Sequence, residues 1–188
     1  MKQLKVLALA TTVAASSLSL STHAESNTYF GVGIMQTKSK GDVVDAGTTY
    51  SAEYKKNNYK ALLGKRINDS WSVEVQYTNF AKDNLTQNLT TDVLSMSGKS
   101  LGIAGLYHFN PVADYSPFVK LGFHSWDVKA VNNNTGVSEK IDGTDALYGV
   151  GLDGKVNNAM KYRLEFERMA DMDGDDVDNI GIGLLFDF

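Results

Sequence analysis

The segment IGIGLLFDF, residues 180–188, decides the fold, because it alternates like a β-strand up to the last residue of the sequence. Every second residue is large and apolar, while the residues between them are glycine, leucine or aspartate. The apolar set consists of Ile180, Ile182, Leu184, Phe186 and Phe188. Most domains end in polar residues that fray. We therefore expect this last strand to pair with another strand over its full length.

Seven further segments alternate in the same way, and the clearest is WSVEVQYT at 71–78. The others span 29–38, 58–67, 100–109, 117–127, 145–155 and 160–169. The links are long at 39–57, 79–99, 128–144 and 170–178, and short at 68–70, 110–116 and 156–159. This rhythm predicts eight strands joined as hairpins, with all long links at the same end.

The first 24 residues differ from the rest and have the pattern of a secretory signal peptide. Lys2 and Lys5 give a basic start, residues 6–15 form a short apolar run, and small residues precede Ala24. The apolar run is too short to span a bilayer as a helix, which needs about 20 residues. We therefore expect residues 1–24 to be removed on export and residues 25–188 to form one barrel domain.

Charge and composition exclude several classes of protein. The formal net charge is -4, and loss of the two leader lysines makes it -6. Nucleic acid is excluded as a partner, because binding its phosphates requires a basic surface. The absence of cysteine excludes disulfides and thiolate metal sites, and we expect no cofactor. No stretch after residue 24 is long and apolar enough for a membrane helix.

Glycine and charge indicate that the polar face of the strands points inward. Nine glycines lie opposite the apolar face, where the interior of a narrow barrel would be crowded. The same face carries equal numbers of cations and acids, as a closed interior would need. These residues are Lys60, Arg66, Lys120, Lys155 and Arg163 against Glu74, Asp153, Glu165, Glu167 and Asp187, with His108 and His124 beside them. A solvated strand face with mixed charges is the alternative.

Aromatic residues on the apolar face cluster towards both ends of the strands, which is typical of the two aromatic girdles of a membrane barrel. Besides Phe186 and Phe188, the short-link end has Trp71, Tyr107, Phe109 and Tyr162, and the long-link end has Tyr59, Tyr77 and Tyr148. The prediction is an all-β protein, an eight-stranded antiparallel up-and-down transmembrane β-barrel. Segment 180–188 would close it against 29–38, because a barrel leaves no free edge.

Two segments resemble the small OmpA-like outer-membrane β-barrel family. GKRINDSWSVEVQY at 64–77 is similar to the second hairpin of that family, and SPFVKLGFHSW at 116–126 is similar to its fifth strand. The chain also resembles the group that contains outer membrane protein X and the Ail-type adhesins. The resemblance covers about residues 29–188 and specifies a barrel, not an activity. It implies the barrel alone, without the peptidoglycan-binding domain of OmpA.

The resemblance implies a place in the outer membrane of a Gram-negative bacterium, in contact with membrane lipids and lipopolysaccharide. It also implies that the terminal strand, with Phe188 last, is the signal recognised by the outer-membrane assembly machinery. The four long links would face outwards and could bind a host surface ligand. We expect a monomer with a structural or adhesin-like role.

Two other functions stay open. A narrow porin-like channel would need its charged interior to rearrange, since side chains just fill an eight-stranded barrel. A lipid A-modifying enzyme would need a serine beside a histidine, but His124 and Ser125 are consecutive and point to opposite faces. The acidic link DMDGDDVD at 171–178 lacks EF-hand spacing, so weak divalent-cation binding is an alternative to a solvated loop. We expect no catalytic residue and no built metal site.

Overall fold

The chain forms eight antiparallel strands that close into a barrel, which confirms the predicted fold. A computed structural model describes residues 27–45, 48–86, 93–111, 113–132, 136–172 and 174–188, so the predicted signal peptide lies outside the described residues. Within these ranges no helix has the length and apolar character needed to cross a membrane. The strands are β1 (Thr28–Asp45), β2 (Thr48–Arg66), β3 (Trp71–Thr86), β4 (Val93–His108), β5 (Tyr115–Asn132), β6 (Ser138–Lys155), β7 (Met160–Met172) and β8 (Asp175–Asp187).

The last strand pairs with the first and closes the sheet, as the alternation of residues 180–188 predicted. The register of β1 with β8 runs from Tyr29 opposite Asp187 to Ser39 opposite Val177. Every other strand pairs with its neighbours in sequence, so the connections are simple hairpins. No edge is left among the described strands, and their backbone groups can be satisfied without water.

The strands are longer than the sequence predicted, mainly at the end of the long links. β1 and β2 stay paired as far as Asp45 and Thr48, and β5 and β6 as far as Val131 and Ser138. The predicted loops 39–57 and 128–144 are therefore mostly two-stranded hairpins. The apolar alternation ends before these extensions, because their sequences are mainly polar, and without alternation the sequence carries no strand signal.

The apolar face of the strands points away from the lumen. Val32 is 51% exposed, Ile34 56% and Leu121 69%, and similar residues surround the barrel. Exposing such a continuous belt to water would cost about 25 cal/mol for each Å² of apolar surface. Lipid chains remove this cost, so the fold is suited to a hydrocarbon surrounding.

Glycine makes room for large side chains inside the narrow barrel. A Cβ on Gly64 would lie 2.2 Å from Cζ of Tyr29, which faces it on β1. A Cβ on Gly151 would lie 2.3 Å from Cζ of Phe118 on β5. Both aromatic rings are buried in the lumen. Any larger residue at either glycine would displace one of these rings.

Candidate functional site in the barrel lumen

Buried charged side chains close the middle of the lumen. We call them the ion-pair cluster, and they come from inward positions of β2, β3, β5, β6 and β7. The members are Lys60, Lys120, Arg163, Glu74, Asp153, Glu165 and Glu167. All are buried, so these charges depend on one another rather than on water.

Two lysines share two glutamates at the centre of the cluster. Nζ of Lys120 lies 2.7 Å from Oε1 of Glu165 and 3.0 Å from Oε2 of Glu167. Nζ of Lys60 lies 2.6 Å from Oε2 of Glu165 and 2.7 Å from Oε2 of Glu167. Lys120 also donates to Oε1 of Gln76 at 2.6 Å. These contacts join β2, β3, β5 and β7 across the lumen.

Arg163 extends the cluster towards the short turns. Its Nε and Nη2 bind the two oxygens of Asp153 at 2.7 and 2.9 Å, and its Nη1 binds Oε1 of Glu74 at 2.6 Å. The hydroxyl of Tyr29 donates to the same Glu74 oxygen at 2.7 Å. The guanidinium lies 4.5 Å from the ring centre of Phe118. Arg163 therefore has polar partners on two strands and an aromatic face on a third.

The other predicted lumen charges lie at the short-turn mouth. Nη2 of Arg66 is 2.7 Å from Oδ1 of Asp187, and both side chains are partly exposed. Lys155 is exposed and lines a polar cavity of about 370 Å³ together with Asp69 and Asp187. The expected balance of five cations and five acids therefore does not describe the buried part of the lumen. Its ion-pair cluster holds three cations and four carboxylates among the described residues.

Two serine–histidine contacts occur that the sequence analysis missed. Oγ of Ser72 lies 3.0 Å from Nε2 of His108, and Oγ of Ser100 lies 3.1 Å from Nδ1 of His124. The partners lie on different strands, so spacing in the sequence gave no signal. Nδ1 of His108 is 3.9 Å from Oδ2 of Asp153, which is longer than a hydrogen bond. Both serines are buried, so neither is open to a substrate.

The long-hairpin end of the lumen is apolar, which was also not predicted. Its buried side chains are Phe80, Trp126, Met169, Met172 and Val177. A signal was present, because Trp126 follows His124 by two residues and so shares its inward face. The lumen therefore carries its ion pairs in its middle and at the short-turn mouth, while the long-hairpin end holds this apolar group beside the neutral polar side chains of Thr37, Asn58 and Asn179.

Hydrogen bonds to an arginine occupy part of the acidic link. Nε of Arg168 lies 2.5 Å from Oδ1 of Asp178, and its Nη1 lies 3.2 Å from Oδ2 of Asp176. Asp173 is outside the described residues. In the part of the chain that the structure describes, no three His, Cys, Asp or Glu side chains are grouped as a metal site.

Aromatic residues form contact groups on the outer surface near the short turns. The ring centres of Trp71 and Tyr107 are 5.0 Å apart, as are those of Tyr107 and Phe109. Phe186 stacks on Phe30 at 4.9 Å.

The remaining predicted girdle residues also lie on the outer surface. Tyr59, Tyr77 and Tyr148 are exposed in β2, β3 and β6, and the strands continue well beyond them. Tyr162 covers Gly154 on the neighbouring strand. Whether these rings mark the membrane interface stays a prediction.

An apolar outer belt around a closed eight-stranded barrel with a charged interior defines the outer-membrane class of β-barrel. The family of the outer membrane protein beta-barrel domain matches residues 6–188, and the chain belongs to this family. An uncharacterised protein of Haemophilus influenzae is 28% identical over 158 residues, which cover 80% of this chain and 84% of that protein.

Solved structures show the same fold at low identity. Ail of Yersinia pestis, in complex with the heparin analogue sucrose octasulfate, has a TM-score of 0.63 and 16% identity, covering 88% of this chain and 100% of Ail. Neisserial surface protein A has a TM-score of 0.66 and 13% identity, with the same coverage of 88% and 100%. The N-terminal barrel domain of Pseudomonas aeruginosa OprF has a TM-score of 0.56 and 15% identity, covering 84% and 97%.

Proposed function

We propose that this protein is a non-catalytic, monomeric surface protein whose four long hairpins bind molecules outside the cell. The observation that carries this proposal is the asymmetry of the barrel. At one end the strands continue as polar paired hairpins beyond the apolar belt, and at the other end they are joined by short turns. Rigid paired strands are a suitable base for variable binding loops.

The ion-pair cluster favours this role over that of a channel. Lys60 and Lys120 link β2 and β5 to β7, and Arg163 links β7 to β3 and β6, across the part of the lumen where an ion would have to pass. Moving one of these groups aside would leave a carboxylate without its partner, which is costly in a low-dielectric interior. A closed lumen with long outer hairpins is consistent with a role outside the barrel.

One pair of lysines is well placed to contact lipopolysaccharide. Lys38 and Lys55 are opposite each other on β1 and β2, and both are exposed. They lie four residues beyond Ile34 and Tyr59, which belong to the apolar belt. Like charges opposite each other destabilise a sheet, and a phosphate between them would reverse that effect. The lipopolysaccharide phosphates lie just outside such a belt.

A second pair points to the ligand class to test first. Lys129 and Lys140 are also opposite each other and exposed, further out on the hairpin of β5 and β6. Ail was solved with a heparin analogue, and the same chemistry, a sulfated polysaccharide, suits a pair of exposed lysines. We therefore propose that this hairpin binds sulfated sugars on host surfaces.

The test uses cells that display the whole protein, applied to immobilised heparin. Replacing both Lys129 and Lys140 by alanine should lower retention severalfold, and added salt should remove the difference because it screens exposed charges. Lys155→Ala is the matched control, since Lys155 lies at the opposite end of the barrel. Equal retention of both variants and the parent would refute the assignment of the hairpin.

A further inference from the structure

The apolar end of the lumen contains a cavity that the proposed surface role does not use. Its volume is about 190 Å³, and it lies on the long-hairpin side of the ion-pair cluster. We call it the apolar chamber, and its principal walls are Phe80, Met96, Trp126, Val128, Met172 and Val177. We propose that the apolar chamber binds a small molecule that has one aromatic ring and one positively charged amino group.

The size and the walls of the chamber suit a single ring. An apolar cavity of roughly 150 Å³ is enough to bind benzene, so this chamber can hold a substituted ring. Phe80 and Trp126 offer aromatic surfaces, and Met96 and Met172 offer thioethers, which make favourable contacts with ring edges. An aromatic guest therefore makes better contacts here than an alkyl chain of similar volume.

The position of Trp126 is fixed before any ligand arrives. Its indole N–H donates to Oδ2 of Asp145 at 2.6 Å. Its ring lies so close to Gly143 that a Cβ on that glycine would be 2.8 Å from the indole. A preorganised wall lowers the entropy lost on binding, so the chamber need not rearrange to accept a ring.

The positive charge of the proposed ligand is inferred from an acidic residue at the edge of the chamber. Asp175 is the only charged side chain among the described residues that line the chamber. The neighbouring Asp176 and Asp178 are bound to Arg168, whereas Asp175 lines the chamber together with the apolar residues Met172 and Val177. Thr37, Ser39 and Ser97 are the neutral polar side chains among the described lining residues, and Thr37 donates its hydroxyl to Asn179. A cationic group at the rim would therefore complement Asp175 while the ring occupies the interior.

The experiment uses 4-bromobenzylamine, whose bromine quenches tryptophan fluorescence on contact. The protein has two tryptophans, Trp71 on the outer surface and Trp126 in the chamber. Trp71→Phe leaves only the chamber reporter, and Trp126→Phe leaves only the outer one. The whole protein is titrated in lipid nanodiscs, and a shift of the folded band on unheated gels verifies that each variant is folded.

We expect saturable quenching when Trp126 is the reporter and linear, partition-type quenching when Trp71 is the reporter. Adding Val128→Phe or Ser39→Phe, on different walls, should fill the chamber and weaken binding by roughly tenfold or more. Asp175→Asn should weaken amine binding roughly threefold, as for a part-exposed charge, and leave neutral 4-bromobenzyl alcohol unchanged. Linear quenching of both Trp126 and Trp71 would contradict a binding site in the chamber. Saturable quenching of Trp126 that is unchanged by Val128→Phe and by Ser39→Phe would contradict it as well. Equal affinity for amine and alcohol would overturn the charge of the ligand.

This inference does not depend on the proposed surface role. The chamber lies inside the lumen, and neither Lys129 nor Lys140 lines it. A failed heparin assay therefore leaves the quenching result unaffected, and a failed quenching assay leaves the heparin result unaffected.

Discussion

At the scale of single residues, Lys120 explains how the barrel keeps charge in its interior. Its ammonium group is buried and lies within 3.4 Å of an oxygen of Glu74, Glu165 and Glu167. Removing one partner of a buried ion pair is more harmful than removing an exposed charge, because the charges left behind are not solvated. The stability of the barrel should therefore depend strongly on this residue.

Lys120→Met should lower the free energy of unfolding by roughly 3–5 kcal/mol, since it leaves buried carboxylates with too few cations. Lys155→Met is the matched control and should have an effect within about 0.5 kcal/mol, because Lys155 is exposed. Urea unfolding in lipid vesicles, followed by tryptophan fluorescence, measures both. Equal stabilities of the two variants would show that the ion-pair cluster contributes little.

Ser72 should not behave as an enzymatic nucleophile, although His108 lies 3.0 Å away. The serine is 1% exposed, and Asp153 is bound to Arg163 rather than to the histidine. A fluorophosphonate probe should therefore leave the mass of the intact protein unchanged. Labelling that disappears in Ser72→Ala would reveal a reactive site and would reopen the enzyme hypothesis.

Only part of this detail could be predicted from the sequence. A period of two assigns each residue to one face of a strand, but it carries no information on the register between strands. The contacts of Lys120 with Glu165 and of Ser72 with His108 therefore could not be predicted. The apolar chamber could have been, since Trp126 belongs to a predicted strand and shares the face of His124.

At the scale of strands and hairpins, the terminal strand combines two properties. The backbone N–H of Phe188 donates to the carbonyl of Thr28 at 3.1 Å, so the last residue takes part in closure. Its ring is 54% exposed and lies 6.2 Å from the ring of Phe30. Because more than half of the residue is exposed on the outer face, we expect it to be available for recognition during assembly.

Phe188→Ala should reduce the amount of folded protein in the outer membrane severalfold, if the terminal aromatic residue is the assembly signal. The stability of the refolded barrel should change by about as much as in Phe30→Ala, because both rings lie on the outer apolar face and are similarly exposed. Phe30→Ala removes the neighbouring ring and serves as the control. Heat-dependent mobility on gels of membrane fractions measures the folded amount. An equal loss of folded protein in Phe188→Ala and Phe30→Ala would show that packing of the two rings, and not an assembly signal, causes the loss.

The number of strands and their connections could be predicted, whereas their outer ends could not. Inside the belt, lipid and lumen impose opposite chemistry on alternate residues, and this leaves a pattern in the sequence. Beyond the belt, the sequences of β1, β2, β5 and β6 no longer alternate between apolar and polar residues, so the pattern disappears while backbone pairing continues. Asp45 and Ser138 are therefore strand residues that no periodicity marks.

At the scale of the whole molecule, the barrel is apolar outside and charged inside. The ion-pair cluster separates the polar cavity at the short-turn mouth from the apolar chamber at the other end. The bridging side chains of Lys60, Lys120 and Arg163 lie between the two cavities. Among the described residues, the ion-pair cluster therefore stands between these two cavities.

Purified protein in planar bilayers should give no current steps above the noise of an empty bilayer, because an ion would have to displace buried ion pairs. A large porin in the same bilayer confirms that steps can be detected. Reproducible steps from the unmodified protein would contradict the closed lumen and would favour the narrow-channel alternative.

Closure of β8 on β1 determines when the barrel can fold. β1 has no partner on one side until β8 has been synthesised. An incomplete chain would therefore be an open sheet with two unpaired edge strands. Unpaired strand edges promote aggregation, because they can pair with strands of other chains. We therefore expect the barrel to close only once β8 is available to pair with β1.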